Sequence, residues 1–112
     1  MQYFVKERER KASQSTCYLE FQKGRYNGQC WRYSSISIRD EIWDEHQMSQ
    51  LVRTVVPDFD YCGLTVITKA QWEAIVENSR DEACPGRPVI EEAIPWVNRC
   101  FEKQEVFTIC GL

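Results

Sequence analysis

One stretch decides how this chain folds, namely Thr65-Val-Ile-Thr68-Lys-Ala-Gln71-Trp72-Glu-Ala-Ile75-Val76. Residues 64–67 are apolar and rich in β-branched side chains, which favours a short strand. Thr68 offers a hydroxyl as the N-cap of a helix, and Gln71 stands three positions later, where a capping box needs it. Trp72 begins a set of apolar residues at helical spacing, so the strand is predicted to run directly into a helix with one buried face.

The N-terminal part of the chain predicts strands. Residues 2–6 indicate a short strand, and residues 7–16 are charged and polar, which is typical of a solvated loop. Residues 17–22 alternate between apolar and polar side chains, with Leu19 and Phe21 on the same face. We therefore expect a second strand here, with one face buried.

A hairpin is predicted to connect this second strand to a third. Asn27-Gly28 is the dipeptide preferred in a two-residue hairpin turn. Such a turn would place Leu19 opposite Ile36, with apolar side chains of both strands on one face. A bulge at Lys23-Gly24 is the alternative, and it would change this register.

Aromatic side chains occupy the other face of the predicted hairpin. They are Tyr18, Trp31 and Tyr33, with Arg25 and Arg32 nearby. Such a row could stack nucleobases, or it could be covered by another part of the chain. The acidic charge of the protein opposes binding to phosphates, so we expect no nucleic-acid partner.

Two short helices are expected before residue 57. Ser37 fits the N-cap of the first, because Asp40 and Glu41 would then lie in its first turn, near the positive end of the helix dipole. Ser49 fits the N-cap of the second. Pro57 ends the helical region, since the residue before a proline avoids helical dihedral angles.

The C-terminal part predicts a helix followed by a strand. Apolar residues from Val89 to Phe101 form one wide helix face, which Pro95 should kink or restart. Residues 105–110 predict a last strand, which we expect inside the sheet because it would be aggregation-prone if exposed. The order of elements predicts a single α+β domain over residues 1–112, a mostly antiparallel sheet with helices packed on one face.

Charge is unevenly distributed along the chain. Residues 1–56 contain nine Lys or Arg and seven Asp or Glu, whereas residues 57–112 contain five and ten, which gives the formal net charge of −3. An acidic surface is suited to a basic protein partner. There is no apolar signal-peptide core and no run of the roughly 20 apolar residues that a membrane helix needs, so we expect a cytoplasmic protein without membrane contact.

Cysteine and histidine spacing gives little indication of a metal site. The six cysteines, at positions 17, 30, 62, 84, 100 and 110, contain no Cys-x-x-Cys pair, and His46 is the only histidine. Zinc sites usually contain close ligand pairs, and cytosolic thiols stay reduced. We therefore expect reduced thiols and no metal or cofactor, with disulfides or a metal site as alternatives.

No catalytic motif is present, so we do not expect an enzyme. Acid–base chemistry could use Asp58 with Asp60, or Glu91 with Glu92, but nothing in the spacing fixes their geometry. Cys84 is the best-placed candidate for a reactive thiol. His46 lies in a charged segment and is expected to be a surface side chain.

Residues 40–61 have the composition of a protein-binding surface. They combine six acids with a single Lys or Arg, Arg53, and they include three aromatic residues. Aromatic anchors and acidic residues that steer a basic partner are common in tight interfaces, and a solvated helix face beside a loop is the alternative. The candidate partner-binding residues are Asp40, Glu41, Trp43, Asp44, Glu45, Asp58, Phe59, Asp60 and Tyr61.

The chain resembles the small immunity proteins of bacterial toxin systems, such as contact-dependent growth inhibition. The stretches Trp31-Arg-Tyr-Ser-Ser-Ile36 and Thr65-Val-Ile-Thr-Lys-Ala-Gln-Trp72 are similar to members of such families, and size, charge and the lack of a catalytic motif agree. The resemblance implies a protein that binds one cognate toxin, often a nuclease with a basic surface, and blocks its active site or substrate groove. Two other functions stay open: an interaction subunit for a different partner, and a small enzyme using Cys62 or Cys84.

Overall fold

The computed structural model describes residues 1–112 and contains a five-stranded antiparallel sheet and five helices, an α+β fold. None of the helices combines the length and apolar character needed to cross a bilayer. In chain order, the elements are β1 (Phe4–Lys6), α1 (Glu7–Ala12), β2 (Tyr18–Lys23), β3 (Ile36–Arg39), α2 (Asp40–Glu45), α3 (Met48–Arg53), β4 (Leu64–Thr68), α4 (Lys69–Asn78), α5 (Arg87–Phe101) and β5 (Val106–Cys110).

The strand order in the sheet is β1-β3-β2-β5-β4, with every neighbouring pair antiparallel. The C-terminal strand β5 therefore lies inside the sheet, between β2 and β4, as the sequence predicted. All five of its residues are buried, because both of its edges are paired and both faces are covered.

The strand-to-helix prediction at residues 64–76 is confirmed. Thr68 is the N-cap of α4: its Oγ1 accepts the Gln71 N–H at 3.2 Å, while the Gln71 Oε1 accepts the Thr68 N–H at 2.9 Å. Trp72 and Ile75 are buried beneath the helix. This capping box fixes the direction in which the chain leaves β4.

The predicted register of β2 with β3 is wrong by two residues. Leu19 is opposite Ile38, and Phe21 is opposite Ile36. The reason is that residues 24–35 form a long loop, so Asn27-Gly28 does not join the two strands directly. A shift by two residues preserves the face of every side chain, and the predicted buried face is correct.

One face of the sheet packs against α2 to α5 around an aromatic cluster. The ring of Phe21 lies 5.2 Å from those of both Phe4 and Phe107, measured between centroids, and 6.2–6.3 Å from Trp43 and Trp96. The indole N–H groups of Trp43 and Trp96 are hydrogen-bonded, the first to a serine hydroxyl and the second to a backbone carbonyl. These two indoles are therefore buried on this face without leaving their N–H groups unpaired.

The opposite face is covered mainly by the loop of residues 24–35. The buried Glu20 carboxylate accepts the N–H groups of Trp31 at 2.9 Å and Arg32 at 2.8 Å. Trp31 and Tyr33 are loop residues, so the predicted aromatic row on the hairpin does not exist. Tyr18 is buried, whereas 89% of the Tyr33 side chain is exposed.

Residues 7–16 are not the solvated loop that the sequence predicted. They contain α1, and Arg10 in this helix is buried and forms an ion pair with Glu7, with Nε and Oε1 2.7 Å apart. The Arg10 guanidinium also lies 4.2 Å from the centroid of the Trp31 ring. Spacing of three residues lets the two charges meet on one helix, and the indole then covers the cation.

Both predicted serine caps are wrong. Ser37 is inside β3, and α2 begins at Asp40 after Arg39. The second helix, α3, begins at Met48, after Gln47 in a left-handed conformation with φ of 53°, so the chain does turn between the two helices as expected. Ser49 instead accepts the Nε1–H of Trp43 at 2.8 Å.

Pro95 lies within one continuous helix, α5, and does not restart it. Buried side chains on both sides of the proline hold the helix against the sheet, which compensates for the hydrogen bond that a proline cannot donate. Pro88 lies in the first turn, where a missing N–H costs nothing.

Candidate protein-binding site

Six acidic side chains lie at the surface on α2 and on the loop after α3. Glu41, Asp44, Glu45, Asp58 and Asp60 are exposed, and Asp40 is half-buried. The acidic patch, as used below, consists of these six residues and Tyr61.

Tyr61 joins the two parts of the acidic patch. Its hydroxyl donates to Oδ2 of Asp44 over 3.4 Å, which links the loop to α2. Burial, together with the nearby charges of Asp44 and Asp40, raises the pKa of Tyr61 to about 12. The phenol therefore stays protonated at neutral pH and presents a half-buried aromatic ring beside carboxylates.

No basic side chain neutralises the acidic patch. The three ion pairs of the protein join Arg10 to Glu7, Arg80 to Glu77 and Arg87 to Glu91, all outside residues 40–61. The only Lys or Arg of that segment is Arg53, which donates from Nη2 and Nε to the Phe59 carbonyl over 3.2 and 3.3 Å. Unpaired charges at a surface are available to a partner of opposite sign.

Trp43 and Phe59 do not belong to this surface. Trp43 is 0% exposed and Phe59 is 3% exposed, and their ring centroids are 5.7 Å apart inside the core. They hold the acidic loop against α2 from beneath. Because α2 is amphipathic, its aromatic residue faces the core while its acids face solvent, and the sequence prediction assigned both to one surface.

Sequence reasoning missed two exposed leucines that adjoin the acidic patch. Leu112 is 43% exposed, and its N–H donates to the Tyr61 carbonyl at 2.9 Å. Leu64 is 52% exposed and follows Gly63, whose carbonyl accepts the Gly111 N–H at 2.7 Å. The alternation of β4 and the position of Leu112 after β5 gave no indication that these side chains would lie near Tyr61.

The candidate acid–base pairs have structural partners. Glu92 accepts the N–H groups of Gln2, Tyr3 and Phe4 and so holds the N-terminus. Its neighbour Glu91 is bonded to Arg87. The two carboxylates therefore serve different parts of the fold and do not form a pair.

Asp60 has a role in the turn that precedes β4. Its Oδ1 accepts the Cys62 N–H at 2.9 Å, and its backbone N–H donates to Oγ1 of Thr65 at 3.1 Å. Its side chain is exposed despite these bonds. Asp58 is also exposed, and no hydrogen bond places it in a pair with Asp60.

His46 and the cysteines lie outside the main surface cavities. His46 is half-buried, with Nδ1 2.9 Å from the Ile42 carbonyl oxygen and its ring 5.0 Å from that of Tyr3. The five main surface cavities contain neither Cys nor His in their lining.

The six cysteines are free thiols. Burial raises the pKa of Cys100, and it raises that of Cys110 to about 12, so neither is an activated thiolate. Cys84 is half-buried and Cys62 is exposed. No group of three or more His, Cys, Asp or Glu side chains is arranged to hold a metal ion.

No family model, curated protein or solved structure matches this chain. A functional conclusion therefore depends on the surface itself. Its most distinctive features are the carboxylates of the acidic patch, which have no basic partner, and the aromatic and apolar side chains beside them.

Proposed function

We propose that this chain is a cytoplasmic immunity protein that binds a basic protein toxin, most naturally a nuclease, and blocks it by stoichiometric association. One observation carries this proposal: Tyr61, in the loop that also carries Asp58 and Asp60, lies beside the Asp44 and Asp40 carboxylates of α2, and none of these acids is in an ion pair. A nuclease grips phosphates with a cationic groove, and an acidic inhibitor is complementary to that groove.

The composition of the patch supports tight binding as well as steering. Exposed acids accelerate encounter with a basic surface, whereas affinity usually depends on a few aromatic or apolar anchors near the centre of an interface. Tyr61 and Leu112 are such anchors, because they are partly exposed and hydrogen-bonded to each other through the backbone. Tyr61 packs against the core that contains Trp43 and Phe59, and this packing limits the ordering cost on binding.

The same geometry gives less support to the cysteine-enzyme alternative. A nucleophilic thiol needs a base within reach and a space for substrate. The single imidazole is engaged by the Ile42 carbonyl and by Tyr3, and none of the main cavities contains a thiol in its lining. Binding, rather than catalysis, is therefore the function for which the surface is better suited.

The test is a pull-down from the source cells with the tagged protein at low and high salt. We expect one basic protein to be retained at low salt and weakened at high salt, because screening reduces the attraction between charges. The double variant Asp44→Lys with Glu45→Lys should no longer retain this partner. Both side chains are exposed, and neither takes part in an ion pair.

The matched control is Glu102→Lys with Glu105→Lys, which changes the net charge equally through exposed acids outside the patch. Equal loss of the partner in both double variants would contradict the assignment to the acidic patch. The captured protein is then assayed for nuclease activity, which an equimolar amount of this chain should abolish. An active partner that is not inhibited would favour a general interaction subunit.

A further inference from the structure

The two edges of the sheet are protected differently. The edge strand β1 has three residues, ends in Lys6 and leads directly into α1, and Glu92 accepts two N–H groups near its start. The other edge strand, β4, has five residues, Leu64-Thr-Val-Ile-Thr68, and contains no charge and no proline. Natural proteins usually blunt an exposed edge with a charge, a proline or a bulge, and β4 has none of these.

The hydrogen-bond pattern shows which groups of β4 face outward. The Gly111 N–H donates to the Gly63 carbonyl, and in an antiparallel ladder the bonded pairs alternate along the strands. Thr65 and Ile67 therefore bond to β5. Leu64 and Val66 direct their N–H and C=O groups to the outer side, where no other strand lies.

The open edge is continuous with the acidic patch. Asp60 organises the turn that leads into β4 through its bond to the Cys62 N–H at 2.9 Å. Leu64 is 52% exposed, and Val66, on the same face, is half-buried. An added strand would thus find free backbone groups, apolar side chains and a carboxylate at one end.

We propose that the outer edge of β4 binds an extended segment of a basic protein, which adds a sixth strand through the backbone groups of Leu64 and Val66. This inference rests on the proposed function and specifies how the partner docks. Backbone pairing supplies affinity in such strand addition, and Lys or Arg in the segment would lie near Asp60. A second copy of this chain is the less favoured occupant, because it carries the same acidic patch and the same net charge of −3.

The experiment is backbone amide exchange by NMR with two defined peptides. One is the basic peptide Lys-Thr-Val-Thr-Val-Thr-Lys, and the control has Glu in place of both Lys. At ten times its Kd, the basic peptide should slow exchange of the Leu64 and Val66 amides about tenfold, while the amides of Thr65 and Ile67 are already protected by β5. The acidic peptide should have no effect.

Three results would overturn the inference. They are unchanged exchange at Leu64 and Val66 with the basic peptide, equal protection by both peptides, and protection that rises with protein concentration when no peptide is present. The last result would assign the edge to a second copy of this chain.

A pair of variants separates this inference from the proposed function. Val66→Pro removes the outward N–H without removing a bond to β5, whereas Val66→Thr keeps both the N–H and the branched side chain. The proline variant should lose peptide binding and the threonine variant should retain it. If the proline variant does not fold, the exchange rates of the wild-type protein still decide the question.

The pull-down tests strand addition at β4 and the immunity function independently. A partner lost with Asp44→Lys and Glu45→Lys but retained by a folded Val66→Pro protein would overturn strand addition and leave the immunity function standing. If the basic peptide protects β4 but no basic partner exists, strand addition would stand and the immunity function would be overturned.

Discussion

On the face of the sheet that carries α2 to α5, Phe21 and Phe107 lie in a continuous apolar core with aromatic rings from three helices. On the opposite face, Glu20, Gln22 and Thr108 are equally buried but are covered by a loop. The first face is stabilised by removing apolar surface from water. The second depends on hydrogen bonds between its buried polar groups and the loop, because an unpaired polar group is costly; the Gln22 Oε1 and Arg32 Nε atoms are the exceptions that stay unpaired.

This contrast explains how a long loop with no regular structure is held in one place. The Glu20 carboxylate accepts from two successive N–H groups of the loop, and the Arg32 guanidinium donates to the Lys23 and Arg25 carbonyls. Trp31, between these bonds, has φ of 62°, a conformation that is rare for a bulky residue. The surrounding hydrogen bonds, together with Arg10 stacked on the indole, hold it there.

The largest effect should come from the apolar face. Phe107 is 0% exposed and contacts four aromatic rings, so Phe107→Ala should lower the free energy of unfolding by about 4 kcal/mol through lost burial and a residual cavity. Urea denaturation followed by tryptophan fluorescence measures this loss. A loss below about 1 kcal/mol, typical of tolerated changes, would show that the core can collapse around the deletion.

A smaller loss of unfolding free energy is expected when the acceptor at the centre of the polar face, the Glu20 carboxylate, is removed. Glu20→Ala leaves the N–H groups of Trp31 and Arg32 without an acceptor and removes one of the two acceptors of the Gln22 amide, so it should lower the free energy of unfolding by about 3 kcal/mol. Exposed Glu73→Ala is the control, with an expected change near zero. Amide exchange should accelerate at residues 31 and 32 but not in α5; uniform acceleration throughout the protein would mean that the two faces do not open separately.

A third test concerns the cation that covers this loop. Arg10→Ala removes the stacking on Trp31 and the ion pair with Glu7, so it should lower the free energy of unfolding by about 1 kcal/mol. Arg10→Lys keeps the charge but loses the planar fork, so it should recover only part of the loss in a thermal melt. Full recovery by lysine would assign the effect to charge alone.

The apolar face was largely predictable from the sequence because its signals are local. The alternation at residues 17–22 and the capping box of Thr68 and Gln71 depend on neighbours a few positions apart. Even with the wrong register for β2 and β3, the buried face was correct, since side chains repeat every second residue.

The loop-covered face was not predictable for the opposite reason. Glu20 is bonded to residues eleven and twelve positions away, and nothing in a glutamate within an alternating strand indicates burial. The same limit applied to the candidate site. Trp43 and Phe59 appeared beside acids in the sequence, but the fold places them beneath the surface and brings Leu112 to Tyr61 from the far end of the chain.

The last test, spread over several pH units, asks how much of the alkaline sensitivity belongs to the polar face. Burial raises the pKa of Cys110 from its ordinary value of 9.0 to about 12, and that of Tyr61 from 10.0 to about 12. Between those values the unfolded chain releases protons that the folded protein retains. The stability tied to each neutral group is therefore complete below its ordinary pKa and is lost as the pH rises toward 12.

Unfolding midpoints in urea, measured from pH 8 to 11 with reductant present, should fall with rising pH in the wild-type protein. Cys110→Ala should remove the part of this decline that begins near pH 9, and Tyr61→Phe the part that begins near pH 10. Cys100, whose pKa is also raised by burial, should leave a residual slope in the double variant. An unchanged slope in Cys110→Ala would mean that water reaches this thiol in the folded state, and that the polar face is covered less tightly than the helix-covered face.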